Sequence, residues 1–298
     1  LVTQSNDKND TSYNLIAGER RWRAAQMAKI HEVPCIVVND SIKALHAIAR
    51  FTRERFKGKL VAVTGSVGKT STKSLLTEVL SKFGKTHCSP KSFNNYLGVP
   101  LTLANIPLNT QYVICEIGMN SAGEIEPLSK MTAPDVAIIT NISSAHLAAF
   151  GDLAAIAREK SMICSGLVES GLLISPSETP FSEIVIDMVK KKKVRHLTFG
   201  SNCLADIYIK KVSFQDNRTS VYATIKHVKS LNFELGALGY HHASNCLTVL
   251  GIIVDFNLNL DRAINLLKNW QPMPGRGKFR DIKIKRNSES ILIRVIDE

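Results

Sequence analysis

The plainest indication of the fold is Val63-Thr64-Gly65-Ser66-Val67-Gly68-Lys69-Thr70. It lies between an apolar run at residues 60–63 and a segment, residues 76–83, whose apolar side chains repeat with helical spacing. A glycine-rich turn between a buried strand and a helix is the arrangement of a phosphate-binding loop. Its glycines let backbone N–H groups approach phosphate oxygens, and the helix N-terminus adds partial positive charge. The stretch therefore predicts a nucleotide site at the end of a β-strand.

Within this loop the residue types suggest individual roles. Lys69 would neutralise the β- and γ-phosphates, and the Thr70 hydroxyl is suited to ligating Mg²⁺. The other predicted nucleotide contacts in this region are Thr64, Gly65, Ser66, Val67, Gly68 and Ser71. Val63 stands where the longer G-x-x-x-x-G-K-T pattern has its first glycine, so the loop has the shorter form T-G-x-x-G-K-T. A structural turn with an incidental lysine is the alternative interpretation.

The rest of the chain predicts an α/β fold. Short apolar runs alternate with amphipathic stretches from residue 39 onward, the pattern of a doubly wound sheet. Buried strands are predicted at residues 60–63, 112–117, 136–140 and 172–175. A helix is predicted at 152–166, and alternating apolar residues between 207 and 233 predict an antiparallel excursion from an otherwise mostly parallel sheet.

Composition limits the class of protein without choosing a partner. The chain has 298 residues, 44% of them hydrophobic, which is typical of a globular protein with a substantial core. No apolar stretch has the length of a membrane span. Six cysteines form no C-x-x-C pair and no signal-peptide layout is present, so a reduced, cytoplasmic protein is expected. The net charge of +12 suits nucleic acid, anionic lipid or anionic small molecules equally.

Several ordered motifs resemble the Mur ligase family. The short phosphate loop is similar to that of Mur ligases and their folylpolyglutamate synthetase relatives, and three further segments resemble the MurF type in particular. These segments are residues 92–102 (SFNNYLGVPLT), 116–125 (EIGMNSAGEI) and 141–147 (NISSAHL). The resemblance implies a Mur ligase central ATP-binding domain of the P-loop type at residues 39–274, with residues 275–298 as the start of a truncated third domain.

The resemblance also assigns a metal and phosphate site. Glu116 follows an apolar strand at the carboxyl end, where ligands collect in open α/β sheets, and a carboxylate suits Mg²⁺. His146 corresponds to a second metal ligand of the family. Lys160 corresponds to a lysine that is carbamylated in Mur ligases and then holds a second Mg²⁺. A loop cap is the alternative interpretation of Glu116. Without the resemblance, His146 would be interpreted as a structural histidine and Lys160 as a surface lysine.

Other positions correspond to nucleotide and substrate contacts. Asn245 matches the second asparagine of the family's G-x-H-N-x-x-N segment near the adenine, whereas His242 replaces the first asparagine. Arg276 matches an arginine that can approach the transferring phosphoryl group. Asn94 and Asn95 are candidate substrate contacts, with turn formation as an equal alternative.

Together these residues imply an ATP- and Mg²⁺-dependent amide ligase in which Lys69, Lys160, His146 and Arg276 are catalytic. The resemblance implies UDP-N-acetylmuramoyl-tripeptide and D-alanyl-D-alanine as substrates and a monomer that neither spans a membrane nor binds nucleic acid. The family's uridine-binding domain is not found, and the sequence stops early in its third domain. We therefore expect that this chain binds ATP but ligates poorly, if at all.

The first 38 residues do not fit this scheme. Residues 13–25 (YNLIAGERRWRAA) and 33–38 (VPCIVV) resemble the ParB partition family, in which a Gly-Glu-Arg-Arg segment contacts CTP. We interpret this region as a fused ParB-like fragment. Two other functions stay open from the sequence: an unrelated P-loop NTPase or kinase, and a non-enzymatic CTP-binding or DNA-partition module acting through Arg20 and Arg21.

Overall fold

The structure is a computed structural model that describes residues 2–4, 12–15, 18–145, 147–215, 217–273, 278–286 and 289–297. A small antiparallel sheet of β1 (Val2–Gln4) and β2 (Tyr13–Leu15) begins the described chain, and α1 (Glu19–Met27) follows it. The last two strands, β12 (Lys278–Arg286) and β13 (Glu289–Asp297), form an antiparallel hairpin.

Between these parts, the described residues form a sheet with the strand order β11-β10-β9-β8-β7-β6-β3-β5-β4. The strands are β3 (Lys59–Thr64), β4 (Thr86–Cys88), β5 (Tyr112–Glu116), β6 (Val136–Ile139), β7 (Leu172–Pro176), β8 (Arg195–Gly200), β9 (Ile207–Gln215), β10 (Arg218–Ile225) and β11 (Lys229–Leu235). Strands β3 to β9 pair in parallel, and β10 and β11 extend the edge in antiparallel fashion.

Helices cover both faces of this sheet. They are α2 (Ser41–Arg55), α3 (Lys69–Leu80), α4 (Gly98–Ala104), α5 (Ile125–Thr132), α6 (Leu147–Phe150), α7 (Leu153–Ser161), a 3-10 helix (Met162–Gly166), α8 (Ser182–Lys192), α9 (Tyr240–Asp255) and α10 (Leu260–Leu267). Within the described part of the chain, no helix combines the length and the apolar character needed to cross a membrane.

Strand alternation divides the apolar residues between two cores. In β3, Val61 and Val63 face the core shared with α3, α9 and α10, whereas Leu60 and Ala62 face the core shared with α2, α4, α5 and α7. Both sides of a parallel strand are buried here, which explains why the central strands have continuous apolar sequences.

The predicted fold class is confirmed. The four predicted strands correspond to β3, β5, β6 and β7, and the predicted antiparallel excursion corresponds to β9, β10 and β11. The helix predicted at 152–166 is divided, because α7 ends at Ser161 and the chain tightens into the 3-10 helix. Strands β4 and β8 were not predicted, since β4 has only three residues and β8 alternates polar and apolar side chains.

The start of the α/β region has a local cause. Asp40 caps α2 by accepting hydrogen bonds from the backbone N–H groups of Ile42 and Lys43, both at 2.9 Å. The predicted domain boundary near residue 39 falls immediately before this cap. That boundary and the one predicted near residue 275 stay predictions.

A substitution in α3 tests the core that supports the phosphate loop. Leu76 is fully buried, so Leu76→Ala should lower the free energy of unfolding by about 2–5 kcal/mol through lost burial and a cavity. Leu204→Ala, at a side chain 77% exposed, should change it by no more than about 0.5 kcal/mol. Urea unfolding of the two variants measures both values, and equal effects would contradict this assignment of the core.

Candidate nucleotide-binding site

The phosphate loop connects the end of β3 to the start of α3, as predicted. Gly65 and Gly68 both have positive φ, 149° and 86°, in the range that favours glycine. A Cβ atom on Gly65 would lie 2.0 Å from Oγ1 of Thr140. Glycine at position 65 is therefore required both by the backbone conformation and by the close approach of β6.

The residues that follow β6 hold this loop in place. The Ser66 backbone N–H donates to the Asn141 carbonyl at 2.9 Å, and the Ser66 hydroxyl exchanges hydrogen bonds with the Ser143 backbone at 2.9 and 3.0 Å. The Thr140 hydroxyl donates to the Val67 carbonyl. Because these hydrogen bonds hold the loop at Ser66 and Val67, its backbone N–H groups are preorganised.

Lys69 folds back over the loop that precedes it. Its ammonium group donates to the carbonyl of Gly65 at 2.7 Å and lies 3.3 Å from the carbonyl of Ser66. Lys69 is the first residue of α3, so its charge stands at the positive end of the helix. This arrangement places a cation beside backbone groups of the kind that bind phosphate.

Glu116, Thr70 and Asn94 meet beside the loop. Glu116 is 1% exposed, and both of its carboxylate oxygens accept hydrogen bonds from the Thr70 hydroxyl, at 3.1 and 3.2 Å. The Asn94 amide donates to Glu116 Oε1 at 2.8 Å. The hydroxyl of Thr70 and the carboxylate of Glu116 supply hard oxygen ligands, and this ligand chemistry fits Mg²⁺. The predicted pair Thr70 and Glu116 is therefore brought together.

Lys160 is a lysine buried beside Met119. It is 1% exposed, and its ammonium lies 3.8 Å from the thioether sulfur of Met119. Burial, reinforced by the charge of nearby Lys69, lowers the pKa of Lys160 from 10.5 to about 7, although Glu159 acts in the opposite direction. The structure thus places Lys160 close to the phosphate loop with an amine that loses its proton near neutral pH.

Glu159 explains how Lys160 and the loop after β5 are positioned. The two oxygens of its carboxylate accept hydrogen bonds from the backbone N–H groups of Gly123 and Ile125, each at 2.8 Å. These bonds tie α7 to the segment that connects β5 with α5. Met119, which touches Lys160, lies in the same segment.

The N-terminal part of α9 approaches the loop from the other side. Asn245 lies against Gly68, where an added Cβ would be 3.2 Å from Asn245 Oδ1. His242 is buried, with its ring 5.2 Å from that of Trp270, and neither ring nitrogen has a hydrogen-bond partner among the described residues. Burial, with a smaller effect from His241, lowers the pKa of His242 to about 4, so its ring is neutral at pH 7.

The two predicted substrate contacts differ in their surroundings. Asn94 faces Glu116, while its carbonyl accepts a hydrogen bond from the Gly118 backbone N–H at 2.8 Å. The side-chain oxygen of Asn95 instead accepts from the backbone N–H groups of Leu97 and Gly98, the turn-forming alternative. His146 and Arg276 lie outside the described residues, so their roles stay predictions.

Two residues of the site were not identified from the sequence. Thr140 packs against Gly65, and Lys73 is a buried lysine 3.7 Å from Glu116. Lys73 precedes Leu76 and Leu80 by three and seven residues, so a charge stands on the apolar face of the predicted helix. A charged residue on that apolar face was the feature of the sequence from which Lys73 could have been identified.

Comparison with protein families gives two matches. The family model described as the Mur ligase middle domain matches residues 63–253, and the one described as the ParB N-terminal domain matches residues 1–50. The first match contains the phosphate loop, Glu116, Lys160 and Asn245. The second confirms the predicted resemblance of the first residues and extends it into α2.

Individual relatives agree with the first match. The UDP-N-acetylmuramoyl-tripeptide--D-alanyl-D-alanine ligase of Bacillus subtilis (strain 168) is 33% identical over 72% of this chain and 45% of its own length. The MurF crystal structure from Acinetobacter baumannii superposes with a TM-score of 0.78 at 27% identity, over 93% of this chain and 63% of that one. Thermotoga maritima MurF ligase in complex with ADP gives a TM-score of 0.74 at 25% identity, over 84% and 57%. The chain spans about half the length of the curated relatives it matches.

The unusual position of Lys160 predicts a pH-dependent effect on stability. The pKa of Lys160 is lower in the folded chain than in the unfolded chain. The charged side chain therefore lowers the free energy of unfolding most below pH 7, and this loss of stability decreases as the pH rises from about 7 to 10.5. Lys160→Met should therefore raise the Tm of the nucleotide-free protein most at low pH, with a gain that shrinks across this window. Thermal unfolding in CO₂-free buffer measures it.

The control is Lys82→Met, at an exposed lysine just after α3, for which no comparable gain at low pH is expected. A Tm difference for Lys160→Met that stays constant from pH 7 to 10.5 would show that Lys160 is not held as a destabilised buried amine.

Proposed function

The chain belongs to the Mur ligase family, and we propose that its described α/β region holds the Mg-ATP site of a MurF-type ligase. The reaction would join D-alanyl-D-alanine to a UDP-N-acetylmuramoyl-tripeptide. The observation that carries the proposal is the convergence of the Thr70 hydroxyl and the Glu116 carboxylate, 3.1–3.2 Å apart, at the end of a preorganised phosphate loop. Membership of the family removes the alternative of an unrelated P-loop NTPase.

The chemistry of such a ligase has two steps. A carboxylate oxygen of the tripeptide attacks the γ-phosphorus of ATP, and ADP leaves to give an acyl phosphate. The amine of D-alanyl-D-alanine then attacks the acyl carbon, loses a proton and displaces inorganic phosphate, leaving an amide. These steps need charge stabilisation more than a protein nucleophile, which agrees with a site built from a lysine, oxygen ligands and backbone N–H groups.

Each residue of the site has a place in this scheme. The loop backbone would bind the β-phosphate, and Lys69 would swing from the Gly65 carbonyl to the β- and γ-phosphates. Thr70 and Glu116 would hold Mg²⁺, which when bound neutralises charge on the phosphate oxygens. Asn245, beside Gly68, is well placed to contact the nucleotide. Asn94 would present its amide where the nucleotide and the acceptor carboxylate meet.

Lys160 would act as a carbamate. Carbamylation requires a neutral amine: the amine nitrogen attacks CO₂, a proton is released, and an anionic carbamate forms in place of the cation. A pKa of about 7 means that a large fraction of the Lys160 amine is neutral at physiological pH. The thioether of Met119 carries no charge, so it does not hold the proton on this amine. The resulting oxygens would supply a second position for Mg²⁺ near the γ-phosphate.

Removal of the loop cation tests the nucleotide site. Lys69 is the only basic residue between Thr64 and Thr70 in the sequence, so Lys69→Ala should abolish Mg-ATP binding without unfolding the protein. Isothermal calorimetry measures the affinity, and circular dichroism checks the fold. Lys85→Ala, at an exposed lysine beyond α3, serves as the control and should bind as the unaltered chain does. Unchanged ATP affinity in folded Lys69→Ala would refute the assignment.

Isotope labelling tests the carbamate. The protein equilibrated with ¹³CO₂ should show a carbamate resonance by NMR that disappears in Lys160→Ala. Turnover is measured by phosphate release with both proposed substrates, after this chain has been fused to the third domain of a MurF relative. In that fusion, Lys160→Ala should lose Mg²⁺-dependent turnover and regain part of it with a short carboxylate such as acetate. An added carboxylate can occupy the position that the anionic carbamate has left. An added amine of similar size carries no negative charge, cannot take the place of the carbamate and serves as the control. Persistence of the resonance or full turnover in Lys160→Ala would exclude this role.

A further inference from the structure

Lys73 is the second buried lysine of the site, and its surroundings differ from those of Lys160. It is 3% exposed and lies one helical turn after Thr70, so both side chains project from the same side of α3. Its ammonium donates to the Ser89 carbonyl and lies within hydrogen-bonding distance of the Ser89 hydroxyl, each at 3.1 Å, and donates to the Lys91 carbonyl at 2.8 Å. An ammonium has three N–H donors, and this geometry offers all three an acceptor.

The charge of Lys73 nevertheless faces Glu116. The shortest ammonium–carboxylate distance is 3.7 Å to Oε2, longer than a charge-assisted hydrogen bond. Both groups are almost completely buried, so their attraction is screened far less than it would be in water. Lys73 therefore compensates the charge of Glu116 and leaves the lone pairs of the carboxylate to Thr70, Asn94 and an incoming cation.

The segment that Lys73 binds leads directly to the site. Residues 89–91 precede Ser92, whose hydroxyl is 3.1 Å from the Thr70 hydroxyl, and Asn94, whose amide donates to Glu116. The Ser89 hydroxyl also donates to the Lys91 carbonyl, at 2.6 Å. One ammonium thus fixes the backbone that carries Ser92 and Asn94 and also supports the carboxylate that they surround.

We propose that Lys73 is a positioning residue that couples the metal-binding carboxylate Glu116 to the segment at residues 89–94. It orients Glu116 by charge without occupying its oxygens, and it holds Ser92 and Asn94 against the same carboxylate. This inference rests on the proposed function, because it takes the Thr70 and Glu116 pair as the place of a divalent cation. Groups that orient metal ligands in this way commonly change metal affinity by about 10- to 100-fold when removed.

The test separates the binding of metal from the binding of nucleotide. ADP affinity is measured by calorimetry in EDTA, and the affinity of the protein–ADP complex for Mn²⁺ is measured by electron paramagnetic resonance. Lys73→Met keeps the length and packing of the side chain but removes its charge and donors. It should weaken Mn²⁺ binding by about tenfold or more, while metal-free ADP affinity changes by less than about twofold.

Three further variants sharpen this result. Lys73→Arg keeps a cation and should retain more Mn²⁺ affinity than Lys73→Met, while Lys82→Met, at an exposed lysine, should change nothing. Hydrogen exchange of residues 89–95 should accelerate in Lys73→Met only. In a Glu116→Gln background, Lys73→Met should have little further effect on Mn²⁺ affinity, because the two residues act together.

Several outcomes would overturn the inference. The inference is wrong if folded Lys73→Met binds Mn²⁺ with an affinity within about twofold of that of the unaltered chain. It is also wrong if Lys73→Met loses metal-free ADP binding and Mn²⁺ binding to the same extent, because equal losses indicate a purely structural role. If Lys73→Met does not fold, Ser89→Ala removes one acceptor of Lys73 and should weaken Mn²⁺ binding severalfold, and unchanged binding there overturns it too. Failure of the unaltered chain to bind ADP is a different result, because it refutes the proposed function and this inference with it.

Discussion

The contact between the phosphate loop and the end of β6 is the constraint on which the candidate site depends. Thr140 approaches Gly65 so closely that no side chain fits there, and residues 141 and 143 bind the backbone and hydroxyl of Ser66. The parallel order β6-β3-β5 brings the loop, Thr140 and Glu116 to one edge of the sheet. Because parallel strands all end at that edge, residues that are far apart in the sequence meet there.

Two buried lysines beside this loop have different environments. Lys73 is surrounded by oxygen acceptors and faces the carboxylate of Glu116, an environment that accommodates an ammonium group. Lys160 meets a thioether and lies near the positive charge of Lys69, so burial lowers its pKa to about 7. The same residue type is thus buried in two different ways, among oxygen acceptors at Lys73 and against a thioether at Lys160.

The first residues of the chain match a different family model from the α/β region. The match to the ParB N-terminal domain covers residues 1–50, and α1 within it exposes Trp22 and Met27. The Mur ligase middle-domain match begins at residue 63, so α2 lies partly inside the ParB match and wholly outside the Mur ligase match. Asp40 caps α2, and Arg53 of the same helix donates to the carbonyls of Thr132 and Ala133, which fastens α2 to α5. By its contacts, α2 is part of the α/β region.

The sequence alone determined the fold class, the position of the phosphate loop and the family, because these depend on local patterns: an apolar strand, a glycine-rich turn and an amphipathic helix. It also indicated Glu116, through its place at the carboxyl end of an apolar strand, and Lys160, through resemblance alone. Tertiary structure decided what depends on several elements at once. Lys73 is a charged residue on a helix face that the pattern assigns to the core, and only the approach of residues 89–91 and Glu116 explains why a charge can be buried there. Likewise, the lowered pKa of Lys160 arises from burial and from Lys69, 91 positions earlier in the sequence, which no local pattern encodes.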